Sequence, residues 1–152
     1  MQESPLDRLT ATFERLGADD PAGWADSEVT ENIAQLARFL ALRLLWRVAI
    51  DPWGAEDLDG LPAAQRLLAT GADRTDLARL ARAAAYSAVF ATLYRIDEGY
   101  DPDIEDADSL PGWVLLETTD EGRQLTGRNV GSLHEDILTM DPSGHEGSDL
   151  WE

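Results

Sequence analysis

The chain contains no cysteine and no lysine, and it has only two histidines, His134 and His145. Without thiols there can be no disulfide, no thiolate metal site and no cysteine nucleophile. Long hydrophobic runs are missing too. The longest uncharged apolar-rich stretch, residues 83–94, lies between Arg82 and Arg95 and falls well short of the ~20 residues that a membrane span needs. The first ten residues, MQESPLDRLT, carry neither a basic start nor an apolar stretch before a small-residue cleavage site, so a secretory signal is not expected. These absences point to a cytoplasmic protein with no cofactor.

Positive charge is scarce. Thirty Asp and Glu face twelve bases, all of them Arg, for a formal net charge of -18. A field of that sign repels nucleic-acid phosphates and anionic membranes and attracts basic partners and cations. No direct nucleic-acid contact and no membrane contact are therefore expected. General acidity also serves solubility, and an Ala-rich chain with Arg in place of Lys is what GC-rich coding tends to produce.

What remains is ample for a core. With 152 residues, 43% hydrophobic, and five Trp, one domain of this size buries roughly 68–70% of the surface its unfolded chain exposes. The pattern predicts a mainly α, compact bundle of four to five helices with two long core helices, and it allows a small β-hairpin near the C-terminus. Residues 1–140 read as a single helical domain and residues 141–152 as an acidic, flexible tail.

Leu6, Leu9, Phe13 and Leu16 recur at helical spacing after Pro5, with Ser4 as cap and Gly17 as stop, predicting a first helix over 5–16. Residues 17–26 read as a connection. Ser27 with Glu28 and Glu31 suggests the start of a long second helix running to about Ile50. Ile33, Leu36, Ala37, Leu40, Ala41, Leu44 and Val48 mark one of its faces, although Phe39, Leu42, Leu45 and Trp46 make its second half apolar nearly all round. Pro62 and Gly71 bracket a short third helix. A long fourth begins near Thr75 and ends before Gly99, with a narrow stripe of Leu77, Ala81, Ala84, Ala88 and Ala91 that suits close packing against the second. Residues 113–118 and 124–127 suit a hairpin around a turn at Asp120, Glu121 and Gly122, and Leu133, Ile137 and Leu138 suggest a short last helix.

Each long helix is followed by a similar acidic stretch, DPWGAEDLDGLP over 51–62 and DPDIEDADSLP over 101–111. Seven carboxylates fall within residues 97–108: Asp97, Glu98, Asp101, Asp103, Glu105, Asp106 and Asp108. Such density needs solvent, cations or Arg side chains to offset its self-repulsion. Arg43 and Arg47, on the second helix, are the candidate internal counterweights, so an internal ion-pair network is one expectation. The other is a partner surface formed by Trp53, Glu56, Asp57, Asp59, Asp101, Asp103, Glu105, Asp106 and Asp108. Trp53 would anchor that interface or fold back onto the helix ends.

Catalytic patterns are weak. Asp101, Asp103 and Glu105 alternate like the start of a calcium loop, but Asp106 stands where that turn requires Gly, and Gly112 stands in place of the bidentate Glu. Next to His134, Glu135 and Asp136, position 138 is Leu, so the two-histidine zinc helix is absent. Both histidines are expected in solvent. Glu28-x-x-Glu31 and Asp73-x-x-Asp76 resemble the paired acidic motifs of all-α nucleotide pyrophosphohydrolases. That resemblance covers four residues and departs from the usual Glu-x-x-Asp in the second pair. It implies carboxylates holding magnesium against a phosphate chain.

The leading expectation is a small non-enzymatic binding protein whose acidic loops engage a basic protein, as an immunity protein, antitoxin or other inhibitor does. The alternatives are the magnesium-dependent phosphohydrolase and a regulatory subunit whose apolar helix faces form a homodimer.

Overall fold

The computed structural model describes residues 4–119 and 124–151, and the expected turn at 120–122 lies outside them. Among the described residues the fold is mainly α, with six α-helices and one small antiparallel hairpin. The helices are α1 (Pro5–Leu16), α2 (Pro21–Glu31), α3 (Gln35–Leu45), α4 (Pro62–Ala69), α5 (Arg74–Glu98) and α6 (Leu133–Asp136). Strands β1 (Leu116–Thr118) and β2 (Leu125–Asn129) pair antiparallel, Leu116 opposite Asn129 and Thr118 opposite Leu125, with an irregularity between the two pairs. Among the described residues no helix is long and apolar enough to cross a membrane.

The chain forms two compact units, and each is discontinuous. The first runs to Leu40 and resumes over Ile96–Gly131; the second comprises Ala41–Arg95 and the chain from Ser132 onward. Both α3 and α5 therefore run from one unit into the other.

In the first unit, α1 begins where expected. Ser4 accepts a hydrogen bond from the Asp7 amide at 3.1 Å while Asp7 Oδ2 accepts from the Ser4 amide, a reciprocal capping box. Gly17 ends the helix at φ 85°. The core of this unit is aromatic: Phe13 stacks on Trp24 at 5.9 Å, and Phe39 meets both rings edge-on, at 5.5 and 5.6 Å.

The expected long second helix is two helices here, and it starts earlier. Asp20 caps α2 by accepting from the Gly23 amide at 3.0 Å, and Pro21 fills the first helical position. Asn32 then takes the left-handed conformation, φ 56°, which a short amide side chain tolerates, and ends α2. Ser27 and Glu28 thus lie inside α2. They still serve a helix start through space, because Glu28 Oε2 accepts from the Leu36 amide at 2.8 Å and Ser27 Oγ accepts from Gln35 Nε2 at 2.8 Å.

After α3 the backbone widens into a π turn over Trp46–Ile50, with the Asp51 amide reaching the Trp46 carbonyl at 2.8 Å. Pro52 prevents any continuation. The buried face through this region is Phe39, Leu42, Trp46 and Ile50, whereas Leu40, Leu44 and Val48, on the other apolar face read from the sequence, are exposed. The aromatic-bearing face buries more apolar area per residue.

The second unit repeats that preference on α5. Ala84, Ala88 and Ala91 are exposed, and Ala78, Tyr86 and Leu93 are buried. Methyl groups offer little area, so at the centre of α5 Tyr86 and Leu93 take the core, while Ala78 is covered by Leu58. The Trp46 ring lies 6.4 Å from Tyr86, and the indole N–H donates to the Ile137 carbonyl at 2.6 Å. Residues 141–151, read above as a tail, contain buried Asp141 and Leu150.

Candidate functional site

The two acidic loops lie in different units and are built differently. In the second unit, residues 51–61 turn back on themselves through a short 3-10 helix, Asp57–Gly60. Leu58 drops into a small core with Ala64 and Ala78, only 2% exposed. Asp57 Oδ2 accepts from the Gly54 amide at 3.1 Å. Asp59 Oδ1 is gripped by Arg74 Nη1 at 2.8 Å and by Gln65 Nε2 at 3.0 Å. The Arg74 hydrogen bond, with that of Gln65, holds the Asp59 carboxyl below its ordinary range. Arg74 also donates to the Ala55 carbonyl at 2.7 Å. Glu56 points to solvent, and Trp53 is half-buried.

The second loop, in the first unit, is closed at its base. The Trp113 amide donates to the Gly99 carbonyl at 2.8 Å, so residues 99–113 leave and return to one point, as in an Ω-loop. Both glycines are required there. A Cβ on Gly99, whose φ is 74°, would sit 2.7 Å from the Trp113 carbonyl oxygen, and one on Gly112 would collide with the Gly99 carbonyl. Within the loop, Asp101 Oδ1 accepts from the Asp103 amide at 3.0 Å, and a 3-10 turn over Ala107–Ser109 follows Asp106, which is left-handed at φ 63°.

The sequence echo conceals a decisive difference. Where the first loop has Leu58 and Asp59, the second has Ala107 and Asp108. Ala107 cannot fill a core as Leu58 does, and among the described residues no arginine reaches Asp101, Asp103, Glu105, Asp106 or Asp108. All five are exposed. The large apolar side chains of the loop, Tyr100, Ile104 and Leu110, are exposed as well, at 49, 44 and 51%. Beside its base, Ile96, Asp97, Glu98, Trp113, Asn129 and Val130 help line a recess of about 280 Å³.

A third acidic loop that opens on Asp-Pro was not recognised from the sequence, where a fourth Asp-Pro pair, Asp20-Pro21, instead starts α2. From Asp141 the chain again turns into a 3-10 helix, Ser148–Leu150. It is anchored like the first loop, with buried Leu150 and an Asp149–Arg82 ion pair. Asp141 accepts from the Ser143 and Gly147 amides and the Ser143 hydroxyl, at 2.9, 2.7 and 2.8 Å. Burial works to raise the Asp141 carboxyl, but these bonds, with Arg82, hold it below its ordinary range. Arg82 Nη2 also faces Asp51 Oδ1 at 3.7 Å. Burial pushes the Asp51 carboxyl up, and the charges of Asp141 and Asp149 reinforce that push against Arg82. The recurring Asp-Pro pair was the available signal.

Other expected residues fall elsewhere. Arg74, Arg79, Arg82 and Arg128 each pair with acids; among the described residues Arg43 and Arg47 make no ion pair. Of the pyrophosphohydrolase-like acids, Glu28 directs one oxygen to Arg128 Nη2 at 2.9 Å and the other to the Leu36 amide. Asp73 Oδ1 accepts from the Thr75 and Asp76 amides, capping α5. Among the described residues no three acidic or histidine side chains group as metal ligands. His134, expected in solvent, is half-buried, its ring edge-on to Phe90 at 5.7 Å and to Tyr94 at 5.0 Å; His145 is exposed. Comparison with protein-family models, with curated proteins and with solved structures returns no match for this chain.

Proposed function

We propose that this chain is a small acidic binding module that engages a basic protein, without catalysis of its own, in the manner of an inhibitor that occupies a cationic surface. The observation that carries this reading is the loop over 99–113. Its carboxylates at 101, 103, 105, 106 and 108 are exposed and, among the described residues, free of arginine, while the loop backbone is closed by the Gly99–Trp113 hydrogen bond. Carboxylates already neutralised within the molecule, such as Asp59 and Asp149, have little attraction left to offer; unpaired ones steer association and order against a complementary surface. A cytoplasmic setting goes with the reading, since a cysteine-free chain relies on packing rather than on disulfides.

The test is binding to an arginine-rich peptide over a series of salt concentrations. Replacing Asp103, Glu105, Asp106 and Asp108 by their amides is expected to weaken binding at least tenfold and to flatten its salt dependence. Removing from the first loop a charge that Arg74 already neutralises, by Asp59→Asn, is expected to have a much smaller effect per charge. Equal losses per charge from both loops would mean that net charge alone attracts the peptide, and the reading would fail.

A further inference from the structure

The exposed apolar side chains of the loop over 99–113 carry an inference beyond charge. In the first loop Leu58 enters the core and Leu61 is 36% exposed; in the second, where Ala107 replaces Leu58, Tyr100, Ile104 and Leu110 are exposed at 49, 44 and 51%. Beyond the Gly99–Trp113 closure the exposed apolar run continues through Trp113, Val114 and Leu115. Solvated large apolar groups singly are ordinary, but a run of them on one closed loop marks a contact surface. The carboxylates interleaved with them dictate what can cover it. A second copy of this chain would bring net charge -18 against net charge -18, and an anionic or neutral partner would leave the carboxylates desolvated without cations.

We infer that this loop is a docking hook for a basic protein segment of amphipathic character, whose apolar side chains cover Tyr100, Ile104 and Leu110 while its Arg or Lys residues meet the flanking carboxylates. The inference rests on the proposed function and specifies its chemistry: affinity comes from the apolar contacts, and the charges supply steering and register.

Two labelled peptides of equal length and equal positive charge test it, one placing Leu and Arg at helical spacing, the other replacing every Leu by Ser. Fluorescence anisotropy gives the affinities. The Leu/Arg peptide is expected to bind at least about tenfold more tightly than the Ser/Arg peptide, the scale of one well-covered apolar side chain. Ile104→Ser combined with Leu110→Ser should abolish that difference and leave Ser/Arg binding unchanged. Both side chains are exposed, so an unchanged thermal melt will show that the variant is folded. Leu80→Ser, at a highly exposed site of the second unit, should change nothing. If both peptides bind alike, or if Leu80→Ser weakens binding as much, the hook is overturned and the acidic-module reading stands. If neither peptide binds, the reading fails and the hook falls with it. Sedimentation that shows self-association abolished by the Ile104 and Leu110 substitutions would assign the surface to a second copy and likewise overturn the proposal.

Discussion

Arg128 and Glu28, a hundred positions apart in the chain, meet at 2.9 Å, and Glu28 uses its other oxygen to cap α3 at the Leu36 amide. Arg128 simultaneously grips Glu117 through Nε at 2.8 Å and Nη2 at 2.6 Å, and it donates to the Ile33 carbonyl at 3.2 Å. One guanidinium thereby joins β1, β2 and the α2–α3 break within the first unit. Burial works to raise the Glu117 carboxyl, but Arg128, with the Thr126 hydroxyl, holds it below its ordinary range.

Arg128→Ala is expected to destabilise the protein by about 3 kcal/mol at pH 7, because two largely buried carboxylates lose their cation. The sign of the pH response should invert. In the parent protein the depressed Glu117 contributes stability that is present above the ordinary carboxylate range and lost as pH falls through its lowered value. In the variant, burial is left to raise the Glu117 carboxyl with no guanidinium to oppose it, so stability rises as pH falls from 7 towards 5. Urea unfolding at both pH values checks this; a variant that weakens on acidification contradicts it.

Trp46 is fully buried, and its indole N–H donates to the Ile137 carbonyl. Trp46→Phe keeps an aromatic ring but removes the donor and leaves a void, which together should cost about 2–4 kcal/mol. Trp151→Phe, at an exposed ring that touches Tyr86 edge-on at 5.7 Å, should cost less than about 1 kcal/mol. Denaturant midpoints for the two variants decide the point, and similar midpoints would contradict the assignment.

Asp51 and Asp141 face the same arginine, Arg82, yet are displaced in opposite directions. The lowered Asp141 contributes stability above the ordinary carboxylate range that is lost as pH falls through its folded value. The raised Asp51 binds its proton more tightly in the folded state, so its contribution is lost as pH rises through its folded value. Asp141→Asn should therefore lower the melting temperature at pH 7 and have little effect at pH 3. Asp51→Asn should raise it at pH 7, with the gain vanishing at low pH. Calorimetry between pH 3 and 7 reads both, and a lower melting temperature for Asp51→Asn at pH 7 would show that its pairing with Arg82 outweighs its burial.

Local chemistry made much of the fold legible. Ser4, Gly17, Pro62, Gly71, Thr75 and Gly99 mark helix ends because caps and stops act within a few residues, and α1, α4 and α5 begin and end close to where those residues indicate. The hairpin strands follow from their β-prone composition in the same way. The acidic loops were visible as sequence, but not the division between them. Whether an acid is neutralised depends on an arginine such as Arg74 or Arg82 arriving from elsewhere in the chain.

By itself, then, the sequence determined the helical class, most helix ends and the concentration of charge in Asp-Pro loops, all of which depend on neighbours a few residues apart. Only the tertiary structure decided three further things: that Leu42, Trp46 and Ile50 rather than Leu40, Leu44 and Val48 face inward, that the helix breaks at Asn32, and that Leu58 is sheltered while Ile104 and Leu110 are not. The physical reason is shared by all three. A helix that is apolar nearly all round, or a loop repeated with one leucine changed to alanine, has several locally acceptable arrangements. The choice among them falls to contacts between residues far apart in the chain, such as Trp46 with Ile137 and Glu28 with Arg128.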